Sequence, residues 1–203
     1  MYVNEGNKKA RQPNGNLCGK GMLCKQLRKT AYVYGYGAVI MNSGDRYNRL
    51  LENKEYISLL DSINEYERER KFCRHGITHL LDTARIMYII KLEKNLPYSK
   101  DIIYAAALLH DIGRCEQYKN GTPHNKAGEK IARSILFECG YNDEEVEFIS
   151  KSISDHRTPA DTDDESLGAV LYKADKLSRM CFCCNAKEEC YWSESLKNKN
   201  ITL

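Results

Sequence analysis

The chain has 203 residues, 42% of them apolar, and a formal net charge of +3, as expected for a soluble domain with its own core. It contains no apolar run of the roughly 20 residues that a membrane span requires. The first residues also lack the apolar centre of a secretory signal. We therefore expect a cytoplasmic protein with no membrane partner.

Residues 1–45 differ in composition from the rest of the chain. Residues 1–40 contain seven Lys or Arg and one acidic residue, are rich in Gly and Asn, and show no sustained apolar period. This predicts a basic, poorly structured N-terminal extension. The remaining chain carries a net charge of −3, so charge gives no strong signal for nucleic-acid binding by the main domain.

Residues 46–180 show a succession of helical patterns. In the first two, which lie before residue 70 and over residues 77–95, apolar residues recur at helical spacing. The next pattern, LPYSKDIIYAAALLHDIG, begins at Pro97 with Ser99 as a capping residue, and we expect it to end at Gly113.

Two further patterns follow before the last strong helix. PHNKAGEKIARSILFECG starts near Pro123 and stops at Gly140, and NDEEVEFISKSISDH opens with Asn142 and Glu145 in a capping-box arrangement. Residues 157–166 read as a loop, and LGAVLYKADKLSRM completes the series. No convincing strand pattern occurs after residue 40. The sequence therefore predicts an all-α bundle of about six or seven helices.

His110 and Asp111 stand at the end of the most apolar of these patterns, directly after AAALL. Burying both side chains costs several kcal/mol unless each has a charged or hydrogen-bonding partner. A divalent cation satisfies both, because imidazole nitrogen and carboxylate oxygen are ligands for Zn, Fe, Mn and similar metals. A lone buried histidine is usually a hydrogen-bonded core residue, but an adjacent His–Asp pair favours a metal site.

These residues resemble the pattern of the HD-domain metal-dependent phosphohydrolase superfamily. The matching segments are HLLDTARI with His79, LLHDIGR with His110 and Asp111, and LYKADKLSR with Asp175, within about residues 48–180. The resemblance implies a helical bundle of the HD type in which these four side chains bind a divalent cation, with His110 and Asp111 as catalytic residues. Fe, Mn, Zn, Co and Mg all remain open as the cation.

Two more histidines match positions that hold a second cation in some branches of the superfamily. They are His124 in PHNKAGEKIA and His156 in SISDHRTP, and by resemblance Asp111 would bridge the two cations. The alternative is that both histidines only cap helices. His75 lies four residues before His79, and it is either an outer hydrogen-bonding partner of the site or an alternative first ligand.

The resemblance implies a phosphohydrolase in which metal-activated water attacks a small phosphate substrate, a nucleotide-type phosphomonoester or phosphoanhydride. Arg114, Lys119 and Arg157 are candidates for binding its phosphate, although each alone is more often a solvated surface charge. Asp155 is a weak candidate for the general acid. Two alternatives stay open: a nucleotide-sensing or interaction domain without turnover, and a di-iron oxygenase on the same fold. The sequence does not indicate an oligomeric state.

Residues 181–203 form a cysteine-rich tail that we expect to pack on the HD domain. Its Cys181-x2-Cys184 spacing suits metal binding, and Cys190 supplies a third thiol. Cys73 lies six residues before His79 and Cys181 six residues after Asp175. If the two helices are antiparallel, both cysteines shift roughly 9 Å in the same direction along the bundle. This predicts a site for Zn or an Fe–S cluster, with free buried thiols as the alternative.

Overall fold

The computed structural model describes residues 45–159, 161 and 163–201, and the predicted basic extension therefore lies almost entirely outside the described residues. The described part of the chain contains eight α-helices, one 3₁₀ turn and no strand, so the prediction of an all-α bundle is confirmed. None of these helices has the length and apolar character needed to cross a membrane. The helices are α1 (Tyr47–Leu50), α2 (Lys54–Tyr66), α3 (Ile77–Glu93), α4 (Lys100–Leu109), α5 (Arg114–Asn120), α6 (His124–Glu138), α7 (Asp143–Asp155) and α8 (Leu167–Leu177), followed by the 3₁₀ turn (Cys181–Cys183).

Helix α4 lies at the centre of the bundle and contacts α1, α3, α6, α7 and α8. Eight of its ten residues are buried, and the three successive alanines at 105–107 are completely buried. Alanine presents little side-chain volume, so neighbouring helices can approach its backbone closely. Whatever follows α4 in the chain is therefore held deep inside the bundle.

Side-chain caps fix where several of the helices begin. Ser99 accepts a hydrogen bond from the backbone N–H of Ile102 at the start of α4. Asn142 and Glu145 form the predicted capping box at the start of α7. Each such cap satisfies a backbone donor that the helix leaves unpaired, and typically stabilises the fold by about 1 kcal/mol.

The segment after α4 differs from the prediction in one respect. The helix ends at Leu109 rather than at Gly113, and residues 110–113 form a tight turn that leads into α5, a short helix that the sequence pattern did not predict. Gly113 is needed here because of a close backbone approach: a Cβ at this position would lie 2.0 Å from the carbonyl oxygen of His124. The turn thus brings His110 and Asp111 against the first residue of α6.

Arg46 connects the beginning of the described chain to two central helices. Its guanidinium donates to Asp101 on α4 at 2.7 Å and to both carboxylate oxygens of Glu145 on α7 at 2.7 and 2.8 Å. Both carboxylates are almost fully buried, and the guanidinium also lies 4.2 Å above the ring of Tyr141. The ion pairs and hydrogen bonds hold α1, α4 and α7 together at the end of α4 that is remote from the His–Asp turn.

Candidate metal centre

Six histidine and aspartate side chains converge at the end of α4 in two groups. His79, His110 and Asp175 form one group, and Asp111, His124 and His156 form the other. Within each group the ligand atoms lie within 4.8 Å of one another. The structure thus brings together every side chain that the sequence predicted as a ligand of the HD centre, and metal binding by them stays a prediction.

The carboxylate of Asp111 lies between the two groups. Its Oδ2 is 3.2 Å from Nε2 of His110 and 3.5 Å from Nε2 of His79, while its Oδ1 is 3.3 Å from Nε2 of His124. The Nε2 atoms of His124 and His156 are 3.3 Å apart. One carboxylate therefore faces both groups, as the predicted bridging role requires.

Every histidine of the two groups is oriented in the same way, through its Nδ1 atom. In each case Nδ1 donates to a protein oxygen, which leaves the Nε2 lone pair directed into the centre. The four acceptors are Ser178 Oγ for His79 (3.1 Å), Ala107 O for His110 (2.7 Å), Gln117 Oε1 for His124 (2.9 Å) and Ile153 O for His156 (2.5 Å).

Burial and nearby charges set the protonation states in the centre. Burial lowers the pKa of His124 to about 3 and that of His156 to about 4, so both rings are neutral near pH 7. Burial opposes ionisation of Asp175, but attraction to His110, when that ring is protonated, and to Lys176 holds its pKa at about 2. Neutral imidazoles and ionised carboxylates are the forms that bind cations.

The residues present fit a divalent cation, because the carboxylate of Asp111 lacks the hydrogen bonds that a buried anion needs. Asp111 is 2% exposed, and neither of its oxygens accepts a hydrogen bond from any described residue. Arg114 lies close, with Nε 2.9 Å from Oδ1, but its N–H is not aligned for a hydrogen bond. A buried ionised carboxylate without hydrogen bonds is costly, and cations on both sides would remove that cost.

The predicted phosphate-binding residues differ in their positions. Arg114 is half-buried beside Asp111, whereas Arg157 is exposed next to His156 and its charge helps to lower the pKa of His124. Lys119 is exposed and pairs with Glu116 at 3.5 Å.

Asp155, the weak candidate for the general acid, is also exposed, and its carboxylate accepts a hydrogen bond from Lys151 at 3.0 Å. No contact among the described residues places it in the centre.

His75 lies outside both donor groups, which answers the question that the sequence left open. Its Nδ1 is 2.5 Å from Oε1 of Glu67, and its backbone N–H donates to Oε2 of the same carboxylate at 2.6 Å. Tyr118 donates to Oε1 of Glu67 from the other side. The His75 ring packs edge-on against His79, with ring centroids 5.4 Å apart. His75 therefore supports the first ligand rather than replacing it.

Sequence reasoning missed Lys176, which follows Asp175 directly. Its Nζ is 2.5 Å from Oδ2 of Asp175 and 29% of its side chain is exposed. A partly exposed ammonium beside a candidate metal ligand is placed where it can reach an anion bound at the centre. The sequence did place Lys176 next to a predicted ligand. A lysine after an aspartate is common on helix surfaces, however, so this position alone did not indicate a role.

The four cysteines predicted as a second metal site lie together at one cavity beside this centre. Cys73 lies in the loop before α3 rather than on the helix itself, and Cys181 begins the 3₁₀ turn after α8. Helices α3 and α8 pack against each other, so the loop and the turn meet at one end of the bundle.

A family model for the HD domain matches residues 76–180, just over half of the chain. The chain belongs to the HD-domain family. The matched region contains both donor groups and begins immediately before α3. Family membership and the two donor groups together support a metal-dependent hydrolase of the HD type.

Three known proteins are similar to this HD-domain protein. An uncharacterized protein of Clostridium beijerinckii is 45% identical over 157 residues, which cover 77% of this chain and 98% of that protein. A bifunctional uridylyltransferase/uridylyl-removing enzyme of Bradyrhizobium sp. is 25% identical over 130 residues, 63% of this chain but 12% of that enzyme. The crystal structure of a predicted HD superfamily hydrolase from an uncultured Thermotogales bacterium has a TM-score of 0.51 and 24% identity, with 74% of this chain and 86% of that chain covered. The structural likeness supports the fold.

Proposed function

We propose that this HD-domain protein is a metal-dependent phosphohydrolase that acts on a nucleotide-type phosphomonoester or phosphoanhydride. The observation that carries the proposal is Asp111, a buried carboxylate with no hydrogen bonds from described residues, whose two oxygens face separate histidine groups. This is the donor arrangement expected of a bridging ligand between two cations.

The donor set suits the transition metals that the sequence left open. Four imidazole nitrogens and two carboxylates accept Fe, Mn, Zn and Co, and they do not distinguish among them. When bound, such cations supply Lewis-acid chemistry that activates water and withdraws charge from a phosphoryl group. The chain itself contributes the orientation of the ligands, because each histidine is fixed through its Nδ1 hydrogen bond.

Positive side chains beside the centre support an anionic substrate. Lys176 is half-exposed next to Asp175, Arg114 is half-buried next to Asp111, and Arg157 is exposed next to His156. Three positively charged side chains around the metal-ligand groups would hold and orient the phosphate oxygens of a substrate. Lys119 is the weakest member of the predicted set, because its charge is already paired with Glu116.

A nucleotide is the substrate class that we favour. The Bradyrhizobium relative is a uridylyl-removing enzyme by name, and the matched part of that enzyme is similar to 63% of this chain. Release of a uridylyl group breaks a bond at the phosphorus of a nucleotide. We propose that this protein also cleaves a phosphorus–oxygen bond of a nucleotide, and we carry nothing else over from that enzyme. We also propose a cytoplasmic location.

The test is hydrolysis across a panel of nucleoside mono-, di- and triphosphates and dinucleoside polyphosphates, with full-length protein loaded with Mn²⁺, Fe²⁺ or Co²⁺. We expect turnover of at least one nucleotide, which Asp111→Asn abolishes and Asp61→Asn, an exposed change on α2, leaves intact. A metal-loaded protein that cleaves no phosphate ester contradicts the proposal. Oxygen consumption by the ferrous protein without phosphate release would favour the oxygenase alternative instead.

A further inference from the structure

A cavity of about 330 Å³ lies where the C-terminal tail meets the segment before α3. We call it the cysteine cavity, because five of the cysteines line it: Cys73, Cys181, Cys183, Cys184 and Cys190. Four of these side chains are partly buried, whereas Cys183 is exposed. None of the five forms a disulfide bond. The partly buried four are the cysteines that the sequence predicted as one metal site.

The tail reaches the cavity through contacts with the loop that carries Cys73. Glu189 pairs with Lys71 at 3.1 Å, and the ring of Tyr191 packs edge-on against Phe72. These contacts place Cys190 beside Cys73. Burial raises the pKa of the Cys73 thiol, and the thiols of the other three half-buried cysteines raise it further, as expected when thiols gather in a small volume.

The tail has little apolar core to hold it in this position. Ala186 is the single apolar residue buried among the described residues of the tail, while Phe182, Tyr191 and Leu196 are exposed. Between residues 181 and 201 the tail contains no helix apart from the 3₁₀ turn. Small irregular segments of this kind usually depend on a disulfide or a metal site for their structure.

Arg179 independently indicates that the cavity binds an anionic group. It lines the cavity and is 9% exposed, and its Nη1 is buried without a hydrogen-bond partner among the described residues. Its other contacts are Nε to the carbonyl of Lys176 and the ring of Trp192, 4.2 Å away. An unpaired buried guanidinium nitrogen is costly, and thiolate ligands or the sulfides of an anionic cluster would pair with it.

The spacing of the thiols favours a cluster over a single ion. Four thiolates bound to one zinc ion at about 2.3 Å lie roughly 3.8 Å from one another. Among the described residues, the sets of three donor atoms within 4.8 Å are the two histidine–aspartate groups, and the cysteine sulfurs do not add a third. The cysteines line the cavity, and no three of their sulfurs lie within 4.8 Å of one another. A ligand of several atoms, each bound to a different thiolate, fits this arrangement better.

We propose that Cys73, Cys181, Cys184 and Cys190 bind an iron–sulfur cluster in the cysteine cavity. Four cysteine thiolates are the usual ligand set for such clusters. The cluster would attach the tail to the loop before α3, and thereby fix the approach to His79, which also lines the cavity. The four proposed thiolate ligands belong to neither histidine–aspartate group, and the cluster does not depend on the proposed hydrolysis.

The test measures iron, zinc and acid-labile sulfide in full-length protein purified without oxygen from iron-replete cells. We expect stoichiometric sulfide and a broad visible absorbance that bleaches on reduction. Cys73→Ser should lose both signals, and Cys183→Ser, the exposed neighbour, should retain both. Asp175→Ala should lose metal from the HD centre but keep its sulfide, which separates this proposal from the proposed hydrolysis.

Several outcomes would overturn the cluster. Wild-type protein with one tightly bound zinc and no sulfide would replace it with a zinc site, and this result needs no variant to fold. Cys73→Ser with wild-type sulfide would remove Cys73 from the ligand set. If that variant also showed a raised KM for the hydrolysed nucleotide and an unchanged metal content, the cavity would bind substrate instead of a cluster.

Discussion

The backbone of His124 lies directly against Gly113. A Cβ on Gly113 would stand 2.0 Å from the carbonyl oxygen of His124 and 2.4 Å from the backbone nitrogen of Gly128, one turn further along α6. Both neighbours are backbone atoms, so no side-chain rotation can relieve the overlap. This contact sets the distance between the His–Asp turn and the start of α6, and thus between Asp111 and His124.

Gly113→Ala should therefore separate the two donor groups. We expect a loss of more than ~2 kcal/mol in the free energy of unfolding, because α6 must move away from the turn. We also expect metal to be lost first from the group of Asp111, His124 and His156. Urea unfolding measures the loss of stability, and metal analysis of the same sample measures the loss of metal.

Gly121→Ala is the matched control for this prediction. Gly121 has a positive φ of 79° but nothing within 4 Å of its missing Cβ. Its substitution should cost about 1 kcal/mol through backbone strain and leave the metal content unchanged. Equal metal loss in both variants would mean that the close approach at Gly113 does not position the centre.

The donor set was predicted from two kinds of signal. His110 and Asp111 follow an apolar run that had to be buried, whereas the resemblance to the HD family supplied the other ligands, His79, His124, His156 and Asp175. The buried face of each helix then fixes the direction of the ligand side chains. The helix patterns gave the all-α class for the same reason.

The hydrogen-bonding partners of the ligands could not be predicted in this way. Gln117 orients His124 from α5, a seven-residue helix whose apolar period is too short to detect. Glu67 and His75 meet across a loop, and their pairing depends on the path of that loop rather than on spacing. Such contacts depend on tertiary packing, which periodicity does not encode.

Ser178→Ala should weaken metal binding without disturbing the bundle. The Ser178 hydroxyl donates to the carbonyl of Asp175 at 2.8 Å and accepts the Nδ1–H of His79 at 3.1 Å. Loss of an outer partner of a histidine ligand typically reduces metal affinity by about 10- to 100-fold. Competition with a chelator measures the change, and Ser193→Ala, an exposed change in the tail, is the control. An unchanged affinity would show that packing alone orients His79.

Arg46→Met should destabilise the fold strongly while leaving metal affinity unchanged. The substitution removes the partner of two carboxylates, Asp101 and Glu145, that are 2% and 0% exposed. Breaking a buried ion pair from one side usually costs about 3–5 kcal/mol. Urea unfolding measures the loss. Arg68→Met, whose side chain is 65% exposed in its pair with Glu65, should cost less than ~1 kcal/mol. Equal losses in the two variants would contradict a structural role for the Arg46 contacts.

Glu67→Gln tests the carboxylate that supports His75, through pH. Burial opposes ionisation of Glu67, but hydrogen bonds with His75 and Tyr118 lower its pKa below the usual 4.5. Its ionised form therefore stabilises the fold above about pH 5, and this contribution is lost as the pH falls through the lowered folded-state pKa. Near pH 7 we expect Glu67→Gln to be less stable than the wild type by about 1–3 kcal/mol. The gap should narrow steadily below pH 4.5, whereas Glu65→Gln, an exposed change two residues earlier in α2, should track the wild type throughout. A gap that stays constant from pH 7 to pH 3 would mean that the charge of Glu67 does not contribute to stability.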